Sequence, residues 1–344
     1  MGKPLDGVRV LDLSRLLPGP YASLVLSDLG ADVVKVEDPD PGDYLREVSP
    51  GMFAALNRGK RSIVLDLKSS SGAAELRRLC AAADVLLESF RPGVLERLGF
   101  GDLLGDPGRL VICRISGYGQ RGPWRDRAGH DIGYVGVAGV IARNGGVPAV
   151  QLADLFGGAQ GAVIGILAAL VERARTGKGR VVDVAMAQGS TGLLLPHLGE
   201  LPNAPENVLA GSRPCYRVYV CKDGGRYALG ALEPKFWQRF CDAVGRPDWA
   251  DRSMDLLLAG DVDALFATRT REDWDAALRK ADCCGEMVLE PAELREHPLF
   301  TDLYAGDLPR TFPALVPTPD LPRGRPPERG EHTAEVLGEW SAPR

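Results

Sequence analysis

Histidine is scarce in this chain, at four in 344 residues, and the seven cysteines (Cys80, Cys113, Cys215, Cys221, Cys241, Cys283 and Cys284) show no paired Cys-x-x-Cys spacing. An odd, unpaired set supports neither a disulfide framework nor a zinc site, so no metal is expected. Positive charge is not in excess: 41 Lys and Arg stand against 46 Asp and Glu, a net charge of -5. Non-specific nucleic-acid affinity comes from many basic side chains neutralising phosphates, so no nucleic-acid partner is expected. A smaller anionic ligand needs only a local cationic cluster. No stretch approaches the about 18 uninterrupted apolar residues of a membrane span, and no amino-terminal run joins basic residues to a long apolar core. The expectation is a cytoplasmic protein with no membrane association.

Familiar cofactor and nucleophile motifs are missing too: there is no P-loop, no G-x-S-x-G elbow and no H-E-x-x-H. The hexapeptide GYGQRG (117–122) has the letters of the dinucleotide fingerprint, yet Pro123 and Trp124 follow it where a helix would have to hold the pyrophosphate. No nicotinamide or flavin cofactor is expected. Cys283 and Cys284 are adjacent, but buried structural thiols explain them more simply than a redox pair.

With 45% hydrophobic and 25% charged residues, the chain has the composition of a globular protein long enough for two cores. Strand-like runs alternate with helical patterns through the first half: VRVLDL (8–13), DVVKVE (32–37), RSIVLDL (61–67), DVLLES (84–89), RLVICRIS (109–116) and GRVVDVAM (179–186). Between them lie a short helix stopped by Gly30, a helix capped from the Ser69–Ser71 cluster, and a long apolar helix over 157–177. Such alternation predicts an α/β class with a mostly parallel sheet covered on both faces. Near residue 200 the character changes to a hairpin turning at Asp223 and Gly224, followed by helices around 235–244, 255–267 and 271–281. The expected organisation is a large α/β domain over 1–198, completed by a carboxyl-terminal arm over 311–344, and a small α+β domain over 199–310. That arm is proline-rich and ends in a short amphipathic helix, so it is expected to lie along another surface.

Three stretches carry candidate chemistry: AGHDIGY with His130, QLADLFGGA with Asp154 just ahead of the long helix, and LGALEPKFW with Glu233 at a strand-to-helix junction. Taken singly each is ordinary. A loop histidine is usually a solvated side chain, an aspartate at a helix start is a common N-cap, and a lone glutamate is a surface carboxylate.

Their order and wording, with LDLSRLLPGPYASLVLSDLGADVVKVE, NRGKRSIVLDL and LLESFRPGVLERLG, resemble the family III CoA-transferase superfamily over about residues 5–300. Within it the chain resembles the α-methylacyl-CoA racemases. The resemblance implies a family III CoA-transferase fold, in which a Rossmann-like large domain and a small domain build an interlocked homodimer. It also implies an acyl-CoA substrate, so that CoA is part of the substrate and not a separate cofactor. In that family the site joins the large domain of one subunit to the small domain of the other, so Glu233 would come from the partner. Transferases of the superfamily use the aspartate matching Asp154 as a nucleophile and generally lack the GHD histidine. His130 therefore favours a racemase of 2-methylacyl-CoA esters over the alternative, a CoA-transferase acting through Asp154.

For a racemase, His130 and Asp154 are the expected pair of bases flanking the α-carbon of the thioester, and Glu233 would accept the other imidazole N–H of His130. Asp131 competes with it for that role. The enolate oxygen also needs donors, and the amides of Leu155, Phe156, Gly157 and Gly158 at the expected helix start are the candidates. For the CoA phosphates the candidates are Arg46, Lys60, Arg61, Arg91 and Arg125, beside Ser89, with Phe90 and Tyr118 near the adenine or pantetheine. Arg58 and Arg121 are weaker candidates. The 190–215 stretch that should line the acyl pocket is short, so the acyl group is left open.

Overall fold

Six short apolar runs form one all-parallel sheet in the computed structural model, which describes residues 3–199, 208–304, 308–311 and 324–342. The strands are β1 (Arg9–Asp12), β2 (Asp32–Glu37), β3 (Arg61–Val64), β4 (Val85–Glu88), β5 (Val111–Ser116) and β6 (Val181–Ala185). Their spatial order is β3-β2-β1-β4-β5-β6. Successive side chains of a strand point to opposite faces, and the two cores follow that rule. Val10, Val33, Leu87, Val111 and Cys113 belong to one apolar cluster, whereas Leu11, Val34, Leu86 and Ile112 belong to the other. Both faces are thus buried, which is why these strands read as continuous apolar runs.

The helices begin and end where local chemistry dictates. Helix α1 (Pro18–Asp28) has proline in its first turn and is followed by Gly30 at φ +106°, a backbone angle that favours glycine. Helix α2 (Ser70–Ala82) is capped by Ser69, whose hydroxyl accepts the Gly72 N–H at 3.0 Å. Helix α3 (Asp131–Val137) has His130 at its N-cap. The long apolar helix, α4, runs over Ala153–Thr176, four residues earlier at its start than the sequence pattern predicts, with a wider, π-type winding over Ala153–Gln160. It is long and apolar enough to cross a membrane, and it lays Ala162, Val163, Ile166 and Ala169 into the first core cluster. Helix α5 (Met186–Ser190) follows β6 and crosses the start of α4.

Contacts divide the chain into two compact units, Met1–Pro196 with Leu303–Arg344 and His197–Asp302. The second unit holds the predicted hairpin, β7 (Tyr216–Val220) and β8 (Arg226–Gly230), with Gly224 of the turn at φ +81°. A third strand, β9 (Gly285–Met287), pairs antiparallel with β8; three residues are too few to show a period in the sequence. Its core is aromatic, with Trp237, Phe240, Trp249, Phe266 and Trp274 all closed off from water. The carboxyl-terminal helix Thr333–Glu339 belongs to the first unit. The amide of His332 donates to the Ser62 carbonyl at 2.9 Å, and Val336 and Trp340 enter the second core cluster. The proline-rich stretch 312–323 lies outside the described residues, as do 200–207 of the stretch expected to line the acyl pocket.

Candidate active site

Strand order fixes where a ligand has room. In an open parallel sheet the connections after neighbouring strands diverge where the order reverses, and a crevice opens at the carboxyl ends of those strands. Here the reversal falls between β1 and β4. A cavity of about 840 Å³ lies there, walled by Arg15 and Leu16 after β1, Ser89, Phe90 and Arg91 after β4, and Ser116 and Gly117 ending β5. That volume is ample for a cofactor-sized molecule. His130 and Asp154 line the same cavity.

His130 owes its place to a clamp around a glycine-rich turn. Its carbonyl accepts the amides of Gly133 and Tyr134, and the Tyr134 hydroxyl donates to the Gly129 carbonyl at 2.6 Å. A Cβ on Gly129 would meet the Tyr134 ring at 2.6 Å, so only glycine admits that ring beneath the histidine. The imidazole makes no cap hydrogen bond and is exposed to the cavity side of the fold. Asp154 sits in the first turn of α4, half-buried, and its backbone N–H donates to Asp131 Oδ1 at 2.9 Å. Burial pushes its carboxyl up to about 6, the charge of Asp131 adds to the rise, and His130 opposes it. A half-buried carboxyl titrating near neutrality, beside an imidazole in a cavity, is the setting in which acid–base groups are tuned.

The enolate donors expected at Leu155, Phe156, Gly157 and Gly158 fall in the first two turns of α4, which begins at Ala153. The Leu155 amide donates to the Gln151 carbonyl, two residues ahead of the helix. The two glycines serve close packing: a Cβ on Gly157 would lie 2.3 Å from the Met186 carbonyl oxygen, and one on Gly158 would lie 2.9 Å from the Met186 side chain. Phe156 turns its ring partly outward over Gly192.

Of the expected CoA contacts, Ser89, Phe90, Arg91 and Arg125 line the cavity. Tyr118 lines a neighbouring cavity of about 320 Å³, where its ring meets Trp124 edge-on at 5.2 Å. Arg46, Lys60 and Arg61 are corrections, since none of them lines the cavity and each is consumed by structure. Arg46 grips Glu37 with two nitrogens at 2.9 and 2.7 Å and lies 4.0 Å over the Phe53 ring. Lys60 is buried, donating to the Pro20 carbonyl, the Ser23 hydroxyl and Asn57 Oδ1, with Asp12 at 3.3 Å. Arg61 bridges Asp32 to Glu335 and Glu339 of the carboxyl-terminal helix. Arg58 likewise is bound to Asp28 by both terminal nitrogens. Cavity cations that the sequence reading missed are Arg15, Lys68 and Arg127. Arg15 pairs with Asp38 and lies 5.5 Å over the Tyr44 ring. Its signal was position, directly after the first strand of a parallel sheet. Glu233 is the N-cap of helix Pro234–Val244 in the second unit.

Residues 5–333 match the model of CoA-transferase family III. The chain is 38% identical to the alpha-methylacyl-CoA racemase of Homo sapiens, over 99% of this chain and 94% of that protein. It is 33% identical to the succinyl-CoA–L-malate CoA-transferase beta subunit of Chloroflexus aurantiacus, over 98% and 94% of the two. Among solved structures, a CAIB/BAIF family protein from Brucella suis superposes with a TM-score of 0.86 at 28% identity, covering 99% of this chain and all of that one, 100%.

Proposed function

The chain belongs to CoA-transferase family III, and on that footing we propose that it interconverts (R)- and (S)-2-methylacyl-CoA thioesters, an isomerase using His130 and Asp154 as its two bases. One observation carries the reading: an imidazole and a half-buried carboxyl raised to about 6 share one cavity at the sheet's switch point. The similarity to a racemase along nearly the whole chain points the same way.

The chemistry runs without a cofactor. One base removes the α-proton, the C–H electron pair moves into the thioester as an enolate, and the protonated partner base returns a proton to the opposite face. Each base ends in the protonation state in which the other began. Cations at the cavity, Arg15, Lys68, Arg91, Arg125 and Arg127, suit the phosphates of CoA. In this reading the protein acts as an interlocked homodimer of Rossmann-like large domains and small domains, and Glu233 of a second copy orients the His130 imidazole through its other N–H. A carboxylate in that place would fix the tautomer.

The test supplies (R)- and (S)-2-methylacyl-CoA separately in D₂O. Deuterium at the α-carbon with loss of optical purity from either enantiomer is expected. Transfer of CoA seen only when a free carboxylate is added, with no α-deuteration, would replace this reading by the transferase one, in which Asp154 attacks the thioester carbonyl. Arg91 offers a separate check on the ligand. Arg91→Ala is expected to raise KM about tenfold, about 1.4 kcal/mol, and to leave kcat unchanged, because a phosphate contact remote from the reacting carbon holds ground state and transition state alike.

A further inference from the structure

Among the described residues, the Asp131 carboxylate bonds not to the imidazole but to the backbone of the other base. Its Oδ1 accepts the Asp154 N–H at 2.9 Å, reaching from the first residue of α3 to the first turn of α4. An amide in the first turn of a helix has no acceptor inside that helix, so a carboxylate from elsewhere completes it. Asp131 also follows His130 directly in the chain. One hydrogen bond therefore ties the backbone that carries the imidazole to the backbone that carries the carboxyl.

Resting on the racemase reading above, we propose that Asp131 is a positioning residue for the two-base pair: its carboxylate braces the gap between His130 and Asp154 and holds a negative charge against the turn that carries Asp154.

The brace is stiff on both sides. On the α3 side, Tyr134 is buried and its hydroxyl holds the Gly129 carbonyl. On the α4 side, Gly157 and Gly158 rest against Met186 and Ser190 of α5 and against Pro18 of α1, which leave no slack for the first turn to shift. The groups acting electrostatically on Asp154 are Asp131 and Tyr134 from α3 and His130 at its N-cap. The surfaces of α1 and α5 packed there present Pro18, Met186 and Ser190, none of them charged. On β6, Asp183 is engaged with the Gln120 amide. Asp131 is thus the acidic neighbour whose charge opposes ionisation of Asp154, and it adds to the effect of burial.

Two substitutions separate brace from charge. Asp131→Asn keeps an oxygen acceptor for the Asp154 amide and removes the charge. The carbon-13 resonance of the Asp154 carboxyl in the substrate-free protein should then titrate about one pH unit lower, and the acid limb of racemisation should move down with it. A weaker base lowers kcat about threefold while KM stays put. Asp131→Ala removes acceptor and charge together, and racemisation should fall about 100-fold, since misplacing one base by a fraction of its working distance is that costly. If Asp131→Asn leaves both the titration and the acid limb where they were, or if Asp131→Ala racemises as the wild type does, the proposal is wrong. The carboxyl titration needs no substrate, so it judges Asp131 even if the wild-type protein racemises nothing, an outcome that would instead end the racemase reading.

Discussion

Replacing His130 or Asp154 with alanine should give a folded protein whose racemisation has fallen by about 10² to 10⁴, the contribution of a positioned acid or base. Neither side chain holds the fold together: the imidazole caps no helix, and the bond from Asp154 to Asp131 is made by its backbone. The two variants should nevertheless differ in a way that a structural defect could not mimic. Each retains one base, on one face of the α-carbon. Asp154→Ala should still exchange the α-proton that faces His130 with solvent deuterium, without inversion, and His130→Ala should exchange only the opposite enantiomer. Mass spectrometry of both enantiomers in D₂O, with circular dichroism to confirm folding, reads this directly. Near-normal turnover in either variant, or exchange of the same enantiomer by both, would sink the two-base assignment. The pH dependence gives a further constraint. Asp154 must be ionised to accept a proton, so turnover of the enantiomer that faces it should decline as pH falls through about 6, where its raised carboxyl titrates. An unperturbed aspartate would hold activity down to about 4.

Much of the large unit was legible because its strands are buried on both faces and announce themselves as unbroken apolar runs. The positions of β1 to β6 along the chain, the cap at Ser69 and the stop at Gly30 all follow from local residue chemistry. What the pattern hid was the start of α4. Ala153 to Phe156 carry no period of their own, and the two glycines at 157 and 158 look like the mouth of a helix although they are the contact on which it crosses α5. The same limit applies to the cations. Arg46, Lys60, Arg61 and Arg91 are alike in sequence, each a basic residue in a polar loop or at a strand edge. Their fates depend on which carboxylates the fold brings within reach. Glu37 claims Arg46, Asp12 claims Lys60, and Asp32 claims Arg61, whereas Arg91 follows β4 at the carboxyl edge and lines the cavity. The reach of a carboxylate, not residue type, separates the cation that lines the cavity from the internal pairs.

Lys60 turns that distinction into a measurement. Its ammonium is fully buried with Asp12, which also accepts the hydroxyls of Ser14 and Ser23. Lys60→Met removes one half of a buried ion pair and leaves Asp12 with only the more weakly acting Lys35 as counter-charge, a loss of up to about 3–5 kcal/mol. For a unit of this size the melting temperature should drop by roughly 10 °C. In the wild type, burial drives the Asp12 carboxyl up, but Lys60 and Lys35 outweigh it and hold it below the usual carboxylate range. A carboxylate held low stabilises the fold above its unfolded titration point and loses that contribution as pH falls. Without Lys60 the lowering is smaller, because burial still opposes it and only Lys35 and the hydroxyls of Ser14 and Ser23 remain to hold it. The variant should therefore be weakest relative to wild type at neutral pH, and the gap should narrow in acid as Asp12 takes up a proton. Adding Asp12→Asn removes the stranded charge and should restore more than half of the lost stability. KM for the acyl-CoA substrate should stay at the wild-type value in the folded protein. A Lys60→Met protein that melts like the wild type yet binds CoA thioesters weakly would return Lys60 to the ligand and undo the structural assignment.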